Sequence, residues 1–161
     1  MFLNNSVKSG FGFGLASGII TTLGLIVGLN AGNSSKAIII SGVLTIAIAD
    51  AFSDALGVHI AEETKGTHTH TEIWMATFST LVSKFIFAVT FIIPLAIFSV
   101  SHAIVISVVW GLSVLSIFSF FMARDQGERP WKVVTEHILI AVLVIFLTHF
   151  AGILIKKFFP C

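Results

Sequence analysis

The chain has 161 residues, of which 56% are hydrophobic and 11% charged, and its mean hydropathy is +1.02. A soluble domain carries about a quarter charged residues, so an ordinary soluble fold is excluded. A net charge of +1 with no basic stripe excludes electrostatic capture of nucleic acid. The single cysteine, Cys161, excludes a disulfide within one chain and a cysteine metal cage.

Five apolar runs follow one another, at 11–29, 37–60, 78–100, 103–123 and 133–155. A hydrocarbon core of about 30 Å needs about 20 apolar residues in a helix, and each run meets that length. The runs are continuous and do not alternate, which excludes an outer-membrane barrel. The expected fold is therefore one transmembrane domain, 1–161: an all-α integral membrane bundle of five helices. The segments on the side of the N-terminus carry Lys8, Lys65, Arg124, Arg129 and Lys132, against Lys36, Lys156 and Lys157 on the other. That excess places the N-terminus in the cytosol and the C-terminus outside. A single Lys before a full-length span, with no small-residue cleavage motif after it, argues against a cleaved signal peptide.

The first run contains Gly10, Gly14 and Gly18 at four-residue spacing, and Gly24 and Gly28 repeat the interval. Small residues at this spacing let helix backbones approach closely in lipid. They serve either contact with another helix of the same chain or the seam of a homodimer.

The second run carries Asp50 and Asp54, four residues apart and so on one helix face. A carboxylate at the centre of a membrane helix costs about 2.5–3.5 kcal/mol on insertion scales, and such residues face a cavity, a partner charge or a ligand. Counting inward from the outer ends puts Asp50 about 18 Å deep and Asp54 and Lys84 both about 24 Å deep, with Ser17 at about 20 Å. Lys84 is therefore expected to pair with Asp54, leaving Asp50 without a partner. Asp50 with the hydroxyls of Ser17, Thr21 or Thr22 would make a polar station for a cation. The segment between the second and third runs adds His59, Glu62, Glu63, His68, His70 and Glu72. His59 precedes Glu62 and Glu63 by three and four residues. His68, His70 and Glu72 alternate with Thr, so an extended segment would send all three to one side. Imidazole with carboxylate suits Fe(II), Mn(II) or Zn(II). The alternative for this segment is a solvated loop. Neither a phosphate-binding loop nor a nucleophile motif is present, and no enzymatic activity and no permanently bound cofactor are expected.

Two stretches resemble a known family. Ala16-Ser17-Gly18-Ile19-Ile20-Thr21-Thr22-Leu23-Gly24 resembles the first helix of the vacuolar iron transporters, and Ala49-Asp50-Ala51-Phe52-Ser53-Asp54-Ala55-Leu56-Gly57 their second. Ile92-Ile93-Pro94-Leu95 is similar to a motif of their third. The family's first-helix Asp is Ser17 here, its second-helix Met is Asp54, and its Glu after Gly is Val58. The helical metal-binding domain that relatives often carry after the second helix is absent. The resemblance implies a homodimer of five-helix subunits in the lipid bilayer, with a pathway for divalent metal ions along the first two helices. Fe(II) and often Mn(II) leave the cytosol through such proteins, in several cases against protons. The expected function is accordingly export or sequestration of iron or manganese. Asp50 and Asp54 would be the ligands within the membrane, and His59–Glu72 the cytosolic capture site. A scaffold that kept the fold without transport, and a carrier of another cation or of protons, remain as alternatives.

Overall fold

This computed structural model describes residues 5–159; Cys161 lies outside them. The helices are α1 (Asn5–Ala31), α2 (Lys36–Lys65), α3 (His70–Thr90), α4 (Ile92–Ile97), α5 (Val100–Asp125) and α6 (Pro130–Phe158). No strand occurs among the described residues. Five segments are long and apolar enough to cross a membrane, because α3 and α4 together form one of them, His70–Ile97. The protein is an all-α bundle with the helices of a multi-pass membrane protein.

Each spanning segment is longer than the apolar run that announced it, because a run measures hydrocarbon thickness while the helix continues until it is capped. The third differs most, starting at His70 and not at 78. Thr69 caps it by accepting from the Glu72 N–H, and the Glu72 carboxylate accepts in return from the Thr69 N–H at 2.9 Å. This reciprocal arrangement satisfies two otherwise orphaned donors. The same span is interrupted near its far end. Pro94 has no N–H for the Thr90 carbonyl, and its ring crowds that carbonyl, so the helix breaks at Phe91 and resumes as α4. Between α1 and α2 the chain turns through Asn33 at φ 67°, a left-handed position that Asn tolerates. Gly66 at φ 64° ends α2 in the same conformation.

The glycine spacing places α1 at the centre, with α2, α3, α5 and α6 all against it. Leu15, Ile19, Leu23 and Ile26 of α1 form the core with Ile39 and Val43 of α2, Phe91, Leu95 and Leu115. Gly111 of α5 admits the tips of Leu23 and Ile19. In contrast, α6 buries only Ala141 and Gly152, and it exposes Leu139, Leu143, Phe146, Leu147 and Phe150. An apolar face this extensive is what lipid requires and water would penalise.

The glycine ridge is occupied within the chain, which corrects the dimer-seam expectation. A Cβ on Gly10 would strike the Ala76 carbonyl, one on Gly14 the Ser83 hydroxyl, and one on Gly18 the Lys84 backbone at 2.9 Å. All three thus face α3. Gly24 and Gly28 face α6, where a Cβ would lie 3.0 Å from Val144 and 3.2 Å from the Thr148 carbonyl. Close approach also lets α3 donate across the seam, from the Thr80 hydroxyl to Gly10 O at 3.1 Å and from the Ser79 hydroxyl to Val7 O at 2.9 Å. Gly10, Gly14, Gly18 and Gly24 are buried against these helices, and Gly28 is half-buried against α6.

Candidate cation site

Midway along the bundle, three helices meet at one ammonium. Gly18 leaves no side chain in the path of Lys84, whose Cα and Cγ would lie 3.3 and 3.4 Å from a Cβ there. The lysine stem crosses α1 at this gap and its head reaches α2. Lys84 is 1% exposed, which would be untenable for an unpaired charge. Its Nζ makes ion pairs with Asp54 and with Asp50, the latter at 2.6 Å. It also donates to the Ser17 hydroxyl at 3.0 Å, and Ser17 donates onward to Asp54 Oδ2 at 2.6 Å.

The expectation of an unpartnered Asp50 is therefore corrected. Asp50 and Asp54 are one helical turn, about 6 Å, apart along the axis, and a four-carbon side chain arriving between them touches both. Ser17 serves Asp54 and not Asp50. Thr21 donates to the Ser17 carbonyl at 2.9 Å and lines the groove beside Asp50. Thr22 does not line it: it points into the core, fully buried, and its hydroxyl has no hydrogen-bond partner.

The cluster is not sealed. The side chains of Asp50 and Asp54 are 33% and 21% exposed, and both open onto a furrow between α1 and α2. One stretch of about 420 Å³ runs past Thr21, Leu25, Ile46 and Asp50. Another of about 480 Å³ runs from Asp54 past Gly57 and Phe13 to Glu62. Ser53 lines both stretches and joins them. Ser53 and Gly57 were not singled out from the sequence. Their spacing of three residues after Asp50 and Asp54 puts them on the same helix face, and that was the available signal.

The histidine-rich segment does not gather as an extended ligand set. Helix α2 runs through Lys65 and α3 begins at His70, so only Gly66–Thr69 lies between them. Glu62 is buried and holds Lys65 and His68, each at 2.7 Å. His59 pairs through Nδ1 with the Thr77 hydroxyl at 3.0 Å and stacks edge-on against Trp74. His70 tilts toward the same Trp74, Glu72 caps α3, and Glu63 is exposed on α2. Helix formation turned the alternating pattern into a cap and a set of local contacts. Among the described residues no three His, Cys, Asp or Glu side chains converge as a metal-ligating group.

No protein-family model matches this chain, and no curated protein matches it.

Proposed function

We propose that the protein is a membrane cation transporter whose pathway follows the α1–α2 furrow, with Asp50 and Asp54 as the station at mid-membrane. The observation that carries this reading is the opening of both carboxylates onto the furrow. A charge cluster that only braced three helices would gain from being closed off, because lipid contact penalises every exposed polar atom. The furrow is also lined with Thr21 and Ser53, which suits a hydrated ion better than an acyl chain. A second copy placed furrow to furrow would shield these groups from lipid, and we take a homodimer on this face as the working assembly. Divalent iron or manganese, expelled from or sequestered out of the cytosol with the N-terminus inside, is the cargo that the family resemblance supplies. A singly charged cargo, a proton included, is the second reading, and Lys84 favours it. Two carboxylates and one ammonium formally leave a single negative charge for the cargo to balance.

Purified protein in proteoliposomes is expected to take up Mn(II) or Fe(II), and Asp50→Asn to lower that uptake at least about tenfold, as loss of one charged ligand worth more than about 1.4 kcal/mol would. The variant should still fold, since Lys84 keeps Asp54 and Ser17. Parallel assays with Na(I), K(I) and a pH-sensitive dye separate the two cargo readings, and no uptake of any cation would leave the scaffold alternative. For topology, a reporter after Lys157 should be extracytosolic and reporters at Gly66 and Gly127 cytosolic. Cysteine-labelling accessibility from each side checks this, and the reverse pattern would reverse the direction of transport.

A further inference from the structure

Away from the α1–α2 furrow, a crevice of about 980 Å³ separates the first turns of α1 from the last turns of α5. It exists because Gly12 presents no side chain to α5; a Cβ there would already lie 3.0 Å from the Phe118 ring. Phe13, Phe118, Phe121 and Met122 make its walls apolar. Phe13 and Phe121 are 48% and 61% exposed, so these walls face the surrounding lipid. The mouth differs. Lys8 and Asp125 meet across it at 2.7 Å, with both side chains exposed. Lys8 lies in the first turn of α1 and Asp125 is the last residue of α5, so the pair sits where the helices leave the hydrocarbon. Gly12 is about 6 Å deeper.

We propose that this crevice is a binding site for a phospholipid with a zwitterionic headgroup carrying a primary ammonium. Charge complementarity selects the occupant. The lipid phosphate accepts from Lys8, and the lipid ammonium donates to Asp125, so each member of the ion pair exchanges one partner for another of the same sign. The acyl chain lies against the phenylalanine walls below. A purely anionic headgroup satisfies Lys8 but sets its charge against Asp125. A trimethylammonium headgroup has the right charges but no N–H to donate.

The test uses the full chain in detergent with phosphatidylethanolamine, phosphatidylcholine or phosphatidylglycerol of identical acyl chains, and native mass spectrometry reads the lipid retained. Phosphatidylethanolamine should be retained about fivefold over phosphatidylcholine, the ratio that one net hydrogen bond supports. Asp125→Ala, which leaves no side-chain acceptor, should erase that difference, while Lys8→Gln lowers retention of both. Phe121→Ala, which removes an exposed wall of the crevice without touching the ion pair, should lower retention of every lipid. Equal retention of the three lipids, or a preference for phosphatidylglycerol, overturns the proposal. So does a phosphatidylethanolamine preference that survives Asp125→Ala, an outcome that places the retained lipid elsewhere on the protein.

Discussion

Gly14→Leu is expected to abolish most folded protein in detergent. The new Cβ would meet the Ser83 hydroxyl and the Thr80 carbonyl, the latter at 2.5 Å, and further side-chain atoms would force α1 and α3 apart. Overpacking a close interior contact costs about 1–3 kcal/mol and occasionally more. This site lies at the upper end, because one of the obstructing atoms belongs to backbone that cannot rotate away. The separation would also draw Ser17 on α1 away from Lys84 on α3, breaking their 3.0 Å contact. Gly57→Ala on α2 is the control: nothing lies within 4 Å of its Cβ, and the melting temperature should hardly move. Unfolding followed by temperature or denaturing detergent measures both. A Gly14→Leu protein that dissociates into stable, fully folded monomers would instead return the ridge to an intermolecular seam.

Lys84→Met is the second large effect. It strands two part-buried carboxylates at once, and removing one partner of a buried ion pair costs about 3–5 kcal/mol. Asp54→Asn should be milder, because Lys84 keeps Asp50 at 2.6 Å and Ser17 at 3.0 Å. Combining Lys84→Met with Asp50→Asn and Asp54→Asn should restore most of the stability, as neutral replacement of buried ion networks often does. Such a triple variant would fold and carry no cation. Melting temperatures across the series test the assignment, and equal melting of Lys84→Met and Asp54→Asn would refute the shared lysine.

The number of spanning helices was legible because burial in lipid imposes long apolar runs, and nothing in the tertiary fold can override that requirement. Depth counting placed Lys84 beside Asp54. It missed Asp50 because it treated each side chain as level with its own Cα, whereas a lysine reaches across a full helical turn. The glycine ridge was legible as a close contact and illegible as to partner, since Gly offers the same bare surface to α3 as to a second copy. The segment His68–Glu72 misled for a different reason. Its alternation fits a strand, but Thr69 and Glu72 are also a helix start, and the capping box decided the outcome. Nothing local marked Thr22 as buried and Thr21 as half-buried beside the groove; only the packing of the other helices around α1 separates them.

The lysine that joins the three helices is also a ligand that can never diffuse away. Held on α3 with its head against Asp50 and Asp54, it acts at an effective concentration set by its tether, in the millimolar range or higher. A free cation arriving at these carboxylates competes with that resident, so its apparent affinity falls by the same factor by which the tethered charge saturates the station. Weak retention shortens the dwell time of whatever passes, and a station that must release its cargo is served by an occupant always ready to take its place.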